Sequence, residues 1–334
     1  MSGYISRRIL AVIPTLVGVA IVVFVLIRLI PGDPAEVMLG GFATPERAQE
    51  LRRALGLDRP LVVQFAIWAR ALTRGDLGTS IMSQRPVAQE IWSRFPATLE
   101  LTIIATAFAL LAGIGLGVLS ATAHNTRLDL GTTIVSVLGM SIPIFWFGLM
   151  LLYLFGVWLK LLPISGRLDL SIALPRITGL VFVDSLIQGN WAALLDGLKH
   201  VVLPAFSLAV IPIATLSRMT RTTMVEVLNH EYIAVARAKG LAERVVLVRH
   251  ALKNALIPVI TVAGTRFGMQ LAGAVLVEVV YGWPGIGRLI FDAIQKRDYP
   301  IIQGTVLFTA FLFVIINLVT DLLYAAIDPR IRFE

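Results

Sequence analysis

A chain of 334 residues that is 57% hydrophobic and only 15% charged, with a mean hydropathy of +0.83, is not an ordinary water-soluble domain. Its formal charge of +8 needs no nucleic-acid partner, because basic residues in cytoplasmic loops face anionic lipid headgroups. The absence of cysteine excludes disulfides, thiolate metal sites and cysteine nucleophiles.

The apolar residues fall into blocks near or above the roughly 20 residues that cross a ~30 Å hydrocarbon core as helix. The first, residues 9–30, follows Arg7 and Arg8 as a signal peptide would. It exceeds the about 7–15 residues of such an apolar region and no small-x-small cleavage site follows, so an uncleaved helix is predicted. Residues 31–96 form a long outer loop, and "PERAQELRRALGLDRPLVVQFAIWARAL" within it predicts a small helical cap, starting at Thr44-Pro45 and broken at Gly56. Residues 98–123 and 132–159 are the next two spans. The outer piece from Lys160 to Lys199 includes "LLDGLKH", which alternates like a surface-lying helix. Residues 201–216 are the weakest span, being short and carrying Pro204 and Pro212, although membrane helices tolerate proline when neighbours satisfy the freed carbonyls. Residues 256–280 and 301–327 complete six spans.

Six spans put both termini on one side. With the amino terminus inside, the cytoplasmic pieces hold twelve Lys and Arg against seven in the short outer loops, so both termini are predicted to be cytoplasmic.

Motifs for catalysis are missing. None of the five lysines, Lys160, Lys199, Lys239, Lys253 and Lys296, follows a glycine as a nucleotide-binding P-loop requires. His230-Glu231 begins like a zinc-protease helix, but Ala234 stands where the second histidine belongs. Gly285-Ile286-Gly287 lacks the third glycine of a dinucleotide loop and reads as a tight turn after Trp283-Pro284. His124, His200, His230 and His250 are dispersed rather than grouped as metal ligands. No enzyme active site, cofactor site or metal site is expected. A gradient-driven secondary transporter would place acids in mid-span, whereas Glu100 and Asp321 lie near span ends and Glu278 near the outer end of its helix. A membrane scaffold without transport activity is the other competing class.

Between the fourth and fifth spans runs "EYIAVARAKGLAERVVLVRHALKNALIP", residues 231–258. Ala234, Ala236 and Ala238 are small, Gly240 is placed to stop one helix and turn into the next, and Leu241, Val245, Val248, Leu252 and Leu256 recur on one helical stripe. The segment reads as helix, turn, helix on the cytoplasmic side. It is either a basic amphipathic helix on the inner leaflet or a docking knob, and Ala-rich turns joined by Gly suit insertion into a protein groove.

This segment resembles the cytoplasmic loop of ABC-importer permeases, specifically the B-type subunit of the dipeptide, oligopeptide and nickel group. "LIPGDPA" (29–35), "SIPIFWFGLML" (141–151), "ARAKGL" (236–241), "RHALKNALIPV" (249–259), "YGWPGIGRL" (281–289) and "RDYP" (297–300) resemble that group's pattern in the same order, over nearly the whole chain. Against the broader consensus E-A-A-x-x-x-G, Gly240 and Ala236 fit, while Ala234 takes the Glu position and Val235 the first Ala. The proline expected thirteen residues after the glycine is Lys253, and the nearby proline is Pro258.

The resemblance implies an all-α integral membrane protein with the type I permease fold, six transmembrane helices and a small extracytoplasmic cap, multi-pass in the bacterial inner membrane. It divides the chain into residues 1–30 (amino terminus and first helix), 31–96 (cap) and 97–334 (permease core, including coupling loop 218–257). It implies half of a translocation pathway for di- or oligopeptides, with a nickel or other small-solute substrate as the alternative. The implied partners are membrane lipid, a C-type second permease subunit in a heterodimer, two cytoplasmic ATPases that bind ATP and Mg, and an extracytoplasmic binding protein. Ala234, Ala236, Arg237, Ala238, Lys239, Gly240, Leu241 and Arg244 would form the ATPase-coupling loop.

Arg266 stands outside that pattern. With the fifth span starting near Pro258, it lies roughly 12 Å along the helix, inside the hydrocarbon. An arginine there costs about 2.5–3.5 kcal/mol, and a dozen Leu, Ile, Val and Phe in 256–280 return roughly 0.3–0.6 each, so the helix inserts with Arg266 facing protein or water. It either pairs with a carboxylate of this chain or of the partner subunit, or lines the pathway.

Overall fold

A computed structural model describes residues 2–29, 35, 39, 44–54 and 56–327. Residues 30–34 of the "LIPGDPA" motif, residues 36–38, 40–43 and 55 of the cap, and the carboxy-terminal Arg330 and Arg332 lie outside them. Among the described residues every regular element is a helix. In chain order these are α1 (Ser2–Leu29), α2 (Pro45–Ala54), α3 (Leu61–Leu72), α4 (Val87–Thr122), α5 (Arg127–Ser141) and α6 (Ile144–Leu151), which continues as a π-helix over Leu152–Trp158. Then follow α7 (Val181–Ile187), α8 (Trp191–Leu228) and α9 (Glu231–Ala238). Next is α10, which runs through Glu243–Val245, a π-helical segment Val246–Leu252 and Lys253–Gly273. The last are α11 (Val275–Val280), α12 (Ile286–Lys296) and α13 (Tyr299–Ile327).

Four helices are long and apolar enough to cross a membrane: α4, α8, α10 and α13. The pair α5–α6 passes the same test but bends by 105°. The expected straight span over 132–159 is therefore broken, because Pro143 has no amide to continue the ladder and Ile142 is held extended at φ −82°, ψ 129°. Helix α1 is 28 residues long with Pro14 inside it and carries the first expected span; its apolar stretch Val12–Leu26 is shorter than the other spans, so among the described residues four helices and one bent pair meet the length and apolarity of a span where six were expected. The cap helices α2 and α3 form where expected, separated by Gly56 at φ +66°.

Two expectations are corrected. The fourth span is not the short segment 201–216 but the 38-residue α8. The "LLDGLKH" stretch is not a separate surface helix; it forms the first turns of α8, capped by the Asn190 side chain, which accepts from the Ala193 amide at 3.0 Å. Helix α8 runs through both prolines, and at Pro212 a distant side chain serves the acceptor that proline cannot. Pro212 leaves the Leu208 carbonyl without its helical donor, and Gln270 Nε2 on α10 donates to it at 3.0 Å. The same device operates at Pro96 in α4, where Arg176 Nη2 donates to the Trp92 carbonyl at 3.2 Å.

The bundle is organised on the α4–α8 contact. Ala105, Ala109, Gly113, Gly117 and Ala121 recur every fourth residue along α4 and are buried. A Cβ on Gly117 would stand 2.5 Å from the Thr220 Cβ and 2.6 Å from the Ser217 carbonyl, so the two backbones meet only because no side chain intervenes. Around this seam Leu101, Val201, Leu208, Leu216 and Val259 form the core.

At the outer end the "YGWPGIGRL" segment locks the bundle. The Tyr281 hydroxyl donates to the Gly148 carbonyl and pairs with the Ser207 hydroxyl, both at 2.9 Å, and Trp283 Nε1 donates to the Ala97 carbonyl at 2.8 Å. The buried Glu278 carboxylate accepts from the Thr98 hydroxyl at 2.6 Å and from the Arg288 amide at 3.0 Å, closing the first turn of α12. Asp298 of "RDYP" accepts from the Ser80 hydroxyl at 2.5 Å and from the Ile81 and Met82 amides at 3.2 Å, tying the chain before α4 to the start of α13. The Arg167 guanidinium pairs with Glu100 and donates to the Gly179 carbonyl, anchoring the outer segment between α6 and α8. Asp184 organises that segment: its carboxylate accepts from the Thr178 hydroxyl at 2.6 Å and from the Ile177, Thr178 and Gly179 amides. Burial pushes the Asp184 carboxyl up, but these bonds, the Thr178 hydroxyl first, outweigh it and hold the group below its ordinary value.

Candidate functional site

The predicted helix, turn, helix forms at the end of the bundle assigned to the cytoplasm. Helix α8 ends at Leu228, His230 is extended at φ −74°, ψ 145°, and α9 begins at Glu231. Ile233 and Ala236 point inward and pack with Ala121, Met224, Val227, Val246, Ala251 and Ala255. The opposite face of α9 is free. Gly240 takes φ +74°, the left-handed conformation that ends the helix, and a Cβ there would meet nothing within 4 Å. The Arg237 guanidinium spans the turn and forks onto Glu243, with Nη2–Oε1 at 2.7 Å and Nε–Oε2 at 3.2 Å.

Of the residues that sequence places in the knob, Ala234, Arg237, Ala238, Lys239, Gly240, Leu241 and Arg244 come together as one exposed surface. Ala236 is different: it is 6% exposed and faces the core. The predicted stripe also divides. Leu241, Val245 and Val248 are exposed, while the buried positions at the base of α10 are Val246, Ala251 and Ala255. The π-helical segment Val246–Leu252 is the cause, since its wider turns move the buried set to spacings of five and four.

The sequence does not disclose how the knob is fastened. Tyr232 on α9 accepts a hydrogen bond on its hydroxyl from Asn254 Nδ2 at 2.9 Å and donates to the His250 carbonyl at 3.3 Å. Asn254 Nδ2 also donates to the His250 carbonyl at 3.0 Å. These bonds join α9 to the base of α10, the helix that carries Arg266. No periodicity links residues 22 apart across a glycine turn, so only the folded chain shows the clamp.

Arg266 lies partly exposed on α10 and makes no hydrogen bond or ion pair with any described residue. Pairing with a described carboxylate of this chain is thus not what holds it. One turn later Gln270 accepts from the Thr106 hydroxyl at 2.9 Å while donating to Leu208, so α4, α8 and α10 share one polar node beside Arg266.

A bundle of long apolar helices whose cytoplasmic end presents a rigidly mounted helical knob, in a chain without a nucleotide loop, is the architecture of a transport permease rather than of its motor. The chain belongs to the family of binding-protein-dependent transport system inner membrane components: the family's model matches residues 113–333, and the model of the N-terminal part of such membrane components matches residues 1–102. It is therefore a permease component of an ABC importer in the bacterial inner membrane, not itself an ATPase, and works within a multi-subunit transporter. Among proteins it resembles, the dipeptide transport system permease protein DppB of Alkalihalophilus pseudofirmus is 45% identical over 100% of both chains. DppB of Escherichia coli is 43% identical, again over 100% of both. The glutathione transport system permease protein GsiC of Salmonella choleraesuis is 40% identical over 100% of both. A subunit of the MetNI methionine ABC transporter, solved in inward-facing form, shares the fold at a TM-score of 0.51 and 15% identity, covering 72% of this chain and 96% of that one.

Proposed function

We propose that this chain forms half of the translocation pathway for di- or oligopeptides, paired with a second, C-type permease subunit. Two cytoplasmic ATPases drive the assembled complex, which hydrolyses ATP with Mg held in the ATPases, and an extracytoplasmic binding protein delivers the peptide. The observation that carries the substrate reading is the full-length similarity to permeases named for dipeptide and, in one case, for glutathione, itself a tripeptide. Residues 31–96 serve as the outer cap and residues 97–334 as the permease core, with the coupling loop in 218–257.

The exposed surface made by Ala234, Arg237, Ala238, Lys239, Gly240, Leu241 and Arg244 docks into a cleft on an ATPase. Small side chains allow close approach, and the exposed Leu241, Val245 and Val248 offer apolar area beside it. The missing glutamate of the general consensus, Ala234 here, leaves this contact to be made by shape and by the basic residues. Movement of the ATPase reaches the membrane because Tyr232 and Asn254 join α9 to α10. Arg266 faces the pathway.

The test is reconstitution. The purified chain alone neither binds nor hydrolyses ATP. The complete complex in proteoliposomes takes up a labelled dipeptide only with ATP and the binding protein present, and continues when proton and sodium gradients are dissipated. Uptake that stops with the gradient and ignores ATP sinks this reading in favour of a secondary transporter.

A further inference from the structure

Between α4, α5 and α8, toward the end of the bundle assigned to the cytoplasm, lies a recess of about 260 Å³ with both polar and apolar walls. Two arginines of α8 reach it, and they are in different situations. Arg221 is committed: its Nε and Nη2 donate to Asp129 at 2.6 and 2.8 Å, and the Ser120 hydroxyl gives that carboxylate a further bond at 2.5 Å. The Arg221–Asp129 pair therefore brings no net charge.

Arg218, one turn earlier on α8, is exposed, and its guanidinium makes no hydrogen bond or ion pair with any described residue. Beside it the Ser217 side chain is only 3% exposed, lines the same recess and has no hydrogen-bond partner; the Thr133 hydroxyl across the recess has none either. The Ser217 hydroxyl opens onto the recess, where a ligand can bond it. The recess thus offers one uncompensated cation and two free hydroxyls, while Val137 and Met140 make its remaining wall apolar. Arg218 lies ten residues, about 15 Å, before the end of α8, so its charge is set back along that helix from the knob.

From this geometry we propose that the recess binds a singly charged anionic group, held by the Arg218 guanidinium and the Ser217 and Thr133 hydroxyls. One positive charge with two donors matches a monoanion such as a carboxylate or a phosphodiester. Two sources supply that chemistry at this depth: the terminal carboxylate of a peptide crossing the inner half of the pathway, or the phosphodiester of an inner-leaflet lipid whose chains follow the apolar wall. The first source rests on the peptide reading above and the second does not.

The experiment uses the assembled transporter with Arg218→Gln, Arg218→Lys and Ser217→Ala. In the lipid arm the complex is prepared with phosphatidylglycerol or phosphatidylcholine and its retained lipid is weighed by native mass spectrometry. In the peptide arm uptake of dialanine is compared with that of its carboxy-terminal amide. Losing a charge-assisted contact is expected to lower retained phosphatidylglycerol, or free-acid uptake relative to the amide, by about tenfold in Arg218→Gln, with Arg218→Lys keeping most of it. Ser217→Ala, which removes one neutral donor, is expected to lower the same quantity by about threefold, and it reads the site if the arginine variant fails to assemble. No change beyond twofold in either arm for any variant that assembles overturns the proposal, and so does an Arg218→Lys loss as large as that of Arg218→Gln. If the wild-type complex takes up no dialanine, the peptide reading fails by itself and the lipid arm still decides the recess.

Discussion

Gln270 donates its side-chain amide to the Leu208 carbonyl at 3.0 Å, the acceptor that Pro212 deprives of a helical partner. In hydrocarbon no water replaces a lost donor. Gln270→Leu is therefore expected to destabilise the folded subunit by about 1–2 kcal/mol. Pro212→Ala in the same chain should recover part of that loss by restoring the amide. Thermal unfolding of the four variants in nanodiscs measures the coupling, and strictly additive effects would show that the two residues act independently.

The seam between α4 and α8 makes a positional prediction. Gly117→Ala places a methyl 2.5 Å from the Thr220 Cβ and should cost about 1–3 kcal/mol as the helices separate. Gly115, two residues earlier, has nothing within 4 Å of a built Cβ, so Gly115→Ala should be neutral or slightly stabilising. Equal melting temperatures for the two variants would contradict this packing.

At the knob, space and backbone strain can be separated. Gly240 has room for a side chain, so any penalty at φ +74° comes from the left-handed backbone alone. Gly240→Val is expected to weaken ATPase association and reduce uptake strongly, whereas Gly240→Asn, which tolerates this region, should retain most of both. Pull-down of the ATPases together with the transport rate checks it. Normal association in the valine variant would reject the turn as the feature that shapes the knob.

Arg266→Gln distinguishes a pathway cation from a partner-subunit ion pair. A pathway role predicts that the variant loses more uptake of free-carboxylate peptides than of amidated ones, with assembly and basal ATPase activity near normal. An ion pair to the other subunit would leave a buried carboxylate behind, costing about 3–5 kcal/mol and reducing assembly. Uptake normalised to assembled complex separates the two.

The outer segment should be acid-sensitive. Asp184 has a folded-state pKa below its ordinary 3.8, so its bonds to residues 177–179 contribute stability above about pH 4. That stability is lost as pH falls through the lowered value. Limited proteolysis should find the loop protected at pH 6 and progressively easier to cleave as the pH falls below about 4, while Asp184→Asn should be cleaved more readily already at pH 6. A variant Asp184→Asn as well protected at pH 6 as the wild type would show that Asp184 does not hold the loop.

Much of the site was legible from residue order. The small residues before Gly240 and the basic residues after it mark a helix, a turn and a second helix, and the folded chain forms those two helices about that glycine. Ala236 shows the limit: its neighbours in sequence are exposed, yet it faces Met224 and Val246. Its side of a two-turn helix is set by which helices pack beneath it. The stripe through Val245 and Val248 failed as a guide to burial for a related reason, since a π-helical segment changes the angular period on which such counting depends.

By itself the sequence determined the membrane setting, the helical class, the orientation predicted from charge and the want of a nucleotide-binding loop in this chain. Each of these follows from local quantities, the transfer energy of consecutive side chains, the sign of loop charges, or the spacing of a short motif. Only the tertiary structure decided that the third span breaks at Pro143, that α8 runs unbroken through Pro204 and Pro212, and that Tyr232 fastens the knob to Asn254. Those outcomes depend on partners 22 to 84 residues away, such as Gln270 for Leu208 and Arg176 for Trp92. In a medium without water, a donor that the folded chain brings to the carbonyl a proline leaves bare, as Gln270 is brought to Leu208, lowers the cost of keeping that proline within a helix.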